Sequence, residues 1–194
     1  VYAPTSMQTT LSYALHTPRL IVRMIEERDL PDLYQVFSDE AVTRFLPYIT
    51  WTDTLAAHSW YQRVKEMAAQ AAAMQCVIVD KESNKVIGAC LLFRFDTECE
   101  RCELGYALAQ PYWRGGYMAE ALRALLTHAF GEMGINRVEA EVDPRNPASA
   151  QLLRKLGFTQ EGLLRQRWKF KGEIKDTWMF GLLRDEWQAA NEAN

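Results

Sequence analysis

The chain has little of what marks an unusual environment. Only four of its 194 residues are cysteine: Cys76, Cys90, Cys99 and Cys102. That scarcity excludes a disulfide scaffold and fits a reduced cytoplasmic protein. Cys76 and Cys90 lie in apolar runs and read as small core residues. Cys99-Glu100-Arg101-Cys102 has the C-x-x-C spacing, but a zinc site needs a second ligand pair, and His16, His58 and His128 are scattered. No metal is expected, and a plain strand start competes with redox use of this pair. No apolar run approaches the roughly 18 residues needed to span a bilayer, so no membrane association is expected. Val1 to Ser6 has neither a basic n-region nor an apolar h-region, which argues against a signal peptide. It reads as vector-derived, with Met7 as the native start. A basic excess is also missing. Lys and Arg total 22 against 25 Asp and Glu, for a net charge of −3 and a pI near 5.7. General nucleic-acid binding is not expected.

What is present is an ordinary globular composition. Hydrophobic residues make up 48%, enough for a core and too many for disorder. There is no repeat and no linker, so we expect a polar lead-in over 1–16 and one domain over 17–190. Arg19 to Ile25 alternates and is β-branched, which predicts a strand. Asp29 is placed to cap a helix running to about Ser38, with Pro31 in its first turn. A short helix over Asp39 to Leu46 ends before Pro47. Asp53 to about Ala71 predicts a third helix, with Leu55, Trp60, Val64 and Met67 near one face. Met74 to Asp80, Lys85 to Phe95 and Arg101 to Ala109 read as an antiparallel meander. Tyr117 to Met133 is a strong amphipathic helix, with Gly134 in a C′ position. A strand over Arg137 to Asp143, a helix over Ala148 to Leu156, a hairpin from Phe158 to Leu183 and a helix over Arg184 to Glu192 complete the order.

Two stretches carry the functional signal. The first is Gln110-Pro111-Tyr112-Trp113-Arg114-Gly115-Gly116-Tyr117-Met118-Ala119, a glycine turn between a predicted strand and a predicted helix. Such a turn offers backbone N–H groups and the positive end of a helix, the elements of an anion site. By itself it is also compatible with a simple tight turn. No Gly-Lys-Ser/Thr follows, so it is not a P-loop, and the glycine spacing is not that of a dinucleotide fingerprint. The second is Asn146-Pro147-Ala148-Ser149-Ala150-Gln151-Leu152-Leu153-Arg154-Lys155-Leu156-Gly157-Phe158, which follows the strand Arg137 to Asp143.

With Glu103-Leu104-Gly105-Tyr106, these stretches resemble the GNAT superfamily of N-acetyltransferases over about residues 17 to 187. Within it they resemble the RimJ/RimL branch, which acetylates protein N-termini and some small amines. The resemblance implies an α+β fold: a twisted mixed sheet of six or seven strands, flanked by helices. Its two central strands, Glu103 to Ala109 and Arg137 to Asp143, would splay apart in a V. Acetyl-CoA is the implied co-substrate. Its pantetheine arm would pair near Leu108, whose N–H would polarise the thioester carbonyl. Its diphosphate would rest on the turn formed by Arg114, Gly115, Gly116, Tyr117, Met118 and Ala119, with Asn146 capping the Ala148 to Leu156 helix and touching the pantetheine or an ordered water. Trp113 and Met118 depart from the commonest superfamily pattern, which bears on fit and not on N–H supply. Arg114 either contacts phosphate or points to solvent.

The implied reaction is direct acetyl transfer to an amine. Glu103 is the candidate base, directly or through water; the competing reading is a structural carboxylate tied to an arginine of a neighbouring strand. Leu153 stands where many GNAT enzymes have a tyrosine, and the resemblance to RimL-like members, which use a serine at the position of Ser149, implies Ser149 as the candidate acid for the leaving thiolate; the competing reading is an ordinary first-turn helix residue. Asp176 reads as structural or as an amine contact. Phe45, Tyr48, Trp51 and Trp168 are candidates for the acceptor wall, although aromatic residues at such spacings are more often core. An α-amine with a pKa near 8 is about one-tenth neutral at pH 7, whereas a lysine side chain is neutral only about once in 2,500. A weakly placed base therefore suits a protein N-terminus, a ribosomal protein among the candidates implied by the branch. A small amine such as an amino acid, polyamine or antibiotic is the second acceptor class. A non-catalytic acetyl-CoA-binding regulator is the third reading. A homodimer is implied by analogy alone.

Overall fold

The computed structural model describes residues 9–192. The vector-derived reading of Val1 to Ser6 lies outside these residues. Eight strands form one sheet: β1 (Leu15–His16), β2 (Leu20–Met24), β3 (Ala73–Asp80), β4 (Lys85–Asp96), β5 (Arg101–Leu108), β6 (Arg137–Val142), β7 (Thr159–Phe170) and β8 (Glu173–Leu183). Their order across the sheet is β1-β2-β3-β4-β5-β6-β8-β7. Every pairing is antiparallel except β5 with β6. The fold is thus the expected mixed sheet with flanking helices, with eight strands in place of six or seven. The added strand is β1, inside the stretch read as lead-in. Its two residues pair with Ile21 and Val22, and Leu11 just before it is buried. Two residues in a polar stretch are too short for a period-2 pattern to register.

Helices cover both faces. α1 (Leu30–Phe37), α2 (Glu40–Thr43) and α3 (Thr54–Ala69) lie on one side, with Leu33, Val36, Phe37, Trp51 and Ala57 packed against Val77, Ala89 and Ala107. α4 (Tyr117–Gly131), α5 (Pro147–Lys155) and α6 (Arg184–Glu192) lie on the other, over a larger core containing Leu92, Leu104, Leu122, Leu126, Leu153 and Phe180. Alternation along β5 explains the division: Leu104 faces α4 and Ala107 faces α1.

Two local expectations are corrected. Asp29 precedes α1 but makes no side-chain cap there. Its buried carboxylate instead accepts two bonds from Arg23, at 2.8 and 2.7 Å, and one from the Glu26 N–H at 2.8 Å. A charged donor pair outcompetes a neutral backbone N–H for a desolvated carboxylate. In α3, Leu55 and Met67 are exposed, and the packed residues are Ala56, Ala57, Trp60 and Tyr61. The small Ala57 lets the helix approach the sheet, which turns the larger aliphatic side chains outward.

Candidate active site

The pairing of β5 with β6 is brief. It joins Arg101 to Arg137, Cys102 to Val138 and Glu103 to Glu139, and then stops, although both strands continue. Beyond Glu103 the strands diverge into a wedge. On the far side of β5, the Ala109 N–H donates to the Ile87 carbonyl at 2.8 Å. Because backbone groups alternate along a strand, the N–H groups of Tyr106 and Leu108 point the other way, into the wedge. The Leu108 carbonyl accepts from the Trp113 indole N–H at 2.7 Å. The Leu108 N–H is therefore a donor offered to whatever occupies the wedge.

At the open end the chain turns into α4. Arg114 and Gly116 both have left-handed backbones, with φ of 61° and 79°. For Gly116 this costs little, because no Cβ meets the carbonyl oxygen. No side chain caps α4. Its first intrahelical bond runs from the Glu120 N–H to the Gly116 carbonyl at 3.0 Å. The N–H groups of Tyr117, Met118 and Ala119 come before it and are left to an external acceptor. Met118 and Ala119 have buried side chains, so both serve through backbone alone. Three adjacent donors at the positive end of a 15-residue helix fit a diphosphate.

Two hydroxyls meet across the wedge. Tyr106 Oη and Ser149 Oγ are 2.7 Å apart. Ser149 lies in the first turn of α5, where its N–H donates to the Asn146 side-chain oxygen at 3.2 Å. That cap fixes the turn and so the direction of the Ser149 hydroxyl. Burial raises the Tyr106 phenol to a pKa of about 12, partly opposed by its bond to Ser149. The phenol therefore stays protonated and can donate. Leu153, one turn along α5, is fully buried in the core.

Glu103 faces the α1–α3 side, and Glu139 and Glu141 lie beside it on β6. Arg94 sits at a bulge in β4, with φ of 52°, which swings its guanidinium to 2.6 Å from Glu103 and 3.4 Å from Glu141. Burial raises the Glu103 pKa, the Arg94 charge and hydrogen bond oppose the shift, and Glu141 and Glu139 add to it. Glu141 also accepts from the Trp168 indole at 2.7 Å and from Arg167 at 3.2 Å. A second bulge, between Leu164 and Trp168, lies beside Arg167 and Trp168, which reach Glu141. Its Gln166 N–H donates to Asp176 at 2.8 Å. Nearby, a cavity of about 70 Å³ is lined by Phe37, Tyr48, Trp60, Gln75 and Tyr106 among others. Tyr48 is half-buried beside Phe37, and burial pushes its phenol up. Trp51 is only 6% exposed and packs on Phe37 and Trp60, at ring separations of 4.9 and 5.4 Å. Phe45 stacks under Arg44.

The acetyltransferase (GNAT) domain description matches residues 19–159. The chain belongs to the GNAT acetyltransferase family. It is similar to the uncharacterized N-acetyltransferase p20 of Bacillus licheniformis, 37% identical over 173 residues, covering 89% of this chain and 97% of that one. The ribosomal protein uS5 alanine N-acetyltransferase of Escherichia coli K12 is 27% identical over 180 residues, covering 89% of this chain and 92% of that one. In fold, a GCN5-related N-acetyltransferase from Brucella melitensis superposes with a TM-score of 0.85 at 22% identity, covering 96% of this chain and 85% of that one.

For this GNAT-family chain, the structure gathers most of the sequence-predicted residues into two groups. Leu108, Tyr117, Met118, Ala119, Ser149 and Asn146 surround the wedge and its mouth. Glu103 and Trp168 lie together on the α1–α3 side of the sheet, joined through Arg94 and Glu141. Trp51 is core, and exposed Asp176 holds the bulge behind Trp168. Cys99 is exposed and Cys102 is buried in the sheet. Among the described residues, no group of three or more His, Cys, Asp or Glu side chains is placed to hold a metal. Nor is any described helix long and apolar enough to cross a membrane. Sequence reasoning missed Tyr106 and Glu141; the arginine of a neighbouring strand expected as the competing partner of Glu103 is found as Arg94, on β4, which the sequence did not single out by number. Tyr106 was within reach, since it shares the alternation of Leu104 and Leu108 and must face the α4 side. Arg94 was not, because its direction depends on a bulge.

Proposed function

We propose that this acetyltransferase takes its acetyl group from acetyl-CoA and passes it to a primary amine, with a protein N-terminal α-amine as the favoured acceptor. The observation that carries the donor assignment is the wedge ending on an uncapped helix start: strand-like donors for an extended amide arm and three N–H groups for a diphosphate. Acetyl-CoA would supply an activated thioester carbonyl there. The Leu108 N–H would polarise that carbonyl. The acceptor nitrogen forms its bond to the carbonyl carbon as the carbon–sulfur bond breaks. Ser149, held by its bond to Tyr106, gives its proton to the leaving thiolate, and the hydroxyl pair takes a replacement proton from solvent. The proton shed by the amine passes along a chain of waters to Glu103.

The position of Glu103 supports the acceptor class. It lies five residues from Leu108, about 17 Å along the strand at ordinary rise. It is also held by Arg94 at 2.6 Å. A base so placed suits an amine that is already partly neutral at pH 7. The similarity to an enzyme named for the alanine of ribosomal protein uS5 points the same way. The carboxylates Glu103, Glu139 and Glu141 give a polycationic small amine some standing, but Arg94, Arg101, Arg137 and Arg167 pair with them and leave little net charge. The test is release of free thiol from acetyl-CoA with a panel of N-terminal peptides, N-terminally blocked lysine peptides and polyamines. Turnover on free α-amino peptides supports the proposal; turnover on polyamines alone overturns the acceptor class.

A further inference from the structure

The back of the glycine turn is gripped by one side chain that none of the chemistry above uses. Arg19, just before β2, extends its guanidinium against the turn. Nη1 donates to the Gly115 carbonyl at 2.9 Å, and Nε donates to Glu120 at 2.7 Å. The guanidinium carbon lies 4.0 Å above the Tyr117 ring. Glu120 is held further by the Arg19 N–H at 2.8 Å and the Thr17 hydroxyl at 2.6 Å. A Cβ built on Gly115 would fall 2.8 Å from the Tyr117 ring, so that ring, with Arg19 on it, fills the space behind the turn.

Two consequences follow from elementary chemistry. A trans peptide is planar, and its C=O and N–H point in opposite directions. The Gly115 carbonyl and the Gly116 N–H belong to one peptide. Holding the carbonyl on Arg19 therefore aims the Gly116 N–H away from Arg19, to the side where Tyr117, Met118 and Ala119 offer theirs. Second, Glu120 places a carboxylate in the first turn of α4, where an incoming anion would meet it. Arg19 supplies the matching positive charge.

We infer that Arg19 is a positioning residue for the diphosphate of the donor: it orients the Gly115–Gly116 peptide and neutralises Glu120. The inference rests on the acetyl-CoA reading. It predicts an effect confined to donors that carry the diphosphate. Arg19→Met should raise the Kd for CoA and the KM for acetyl-CoA at least tenfold and leave kcat within about twofold. S-acetylpantetheine has the thioester and the amide arm but no diphosphate, and its kcat/KM should not change. Arg19→Lys keeps the charge without the two-pronged geometry and should recover part of the affinity. Adding Glu120→Gln to Arg19→Met should recover the electrostatic part alone. CoA binding is read by calorimetry and both donors by thiol release. A variant that binds CoA as tightly as the unsubstituted chain overturns the inference. So does an equal loss on both donors, which would mark a merely structural role. An unsubstituted chain that takes up no CoA overturns the donor reading first.

Discussion

At the residue scale the site is a contest over protons. Glu103 is pushed up by burial and pulled down by Arg94. A base must be ionised to work, so activity falls as pH drops through its pKa. Removing Arg94 removes the lowering influence. Arg94→Gln should therefore move the acid limb of kcat/KM to higher pH, and Glu103→Gln should abolish that limb with a rate loss of about 10²-fold. A Glu103→Gln variant that keeps the limb would assign the base elsewhere. Tyr106 and Ser149 form one hydroxyl pair at 2.7 Å and should act as a unit. Ser149→Ala and Tyr106→Phe should each lower kcat by about 10-fold or more, and the double variant should lose little beyond Ser149→Ala, because contacting residues are not additive. Two fully multiplicative losses in single-turnover rates would separate their roles.

At the element scale, much of the site was legible in the sequence. The glycine turn, the helix after it, the Asn146 cap and the strand carrying Glu103 and Leu108 all announce themselves through local chemistry: caps, turns and period-2 alternation. What was not legible depends on bulges and on the small-residue faces of helices. Arg94 and Trp168 reach Glu141 only because each lies at or beside a break in strand register, and α3 packs through Ala57 and not through Leu55. Neither follows from hydrophobic periodicity, because a bulge changes which residues share a face and a small residue can be the point of closest approach. The two ends of α4 give a paired prediction. Gly116 has φ of 79°, whereas Gly131 is helical with nothing within 4 Å of an added Cβ. Gly116→Ala should cost about 1–2 kcal/mol through the left-handed penalty. Gly131→Ala should gain about 0.4–1 kcal/mol by restricting the unfolded chain. Urea midpoints of the two variants should move in opposite directions.

At the scale of the whole molecule, the sheet is two half-sheets joined by a short hinge of pairing. β1 to β5 form one, β6 to β8 the other, and three residue pairs link them before the wedge opens. A ligand in the wedge would complete the sheet by bonding to β5 where β6 has drawn away. This gives an alternating signature along a single strand. The amides of Gly105 and Ala107 face β4, where Leu91 and Ala89 are their partners, and should exchange slowly in any state. The amides of Tyr106 and Leu108 face the wedge and should exchange quickly until CoA is added, then slow by an order of magnitude or more. CoA at about 100 times its Kd should also add about 2.7 kcal/mol of stability. For a protein of this size that is a rise of about 5–10 °C in melting temperature. Residue-resolved hydrogen exchange with and without CoA decides the matter: an equal change on CoA addition at all four amides, or a change at none, would mean that the ligand does not lie along β5.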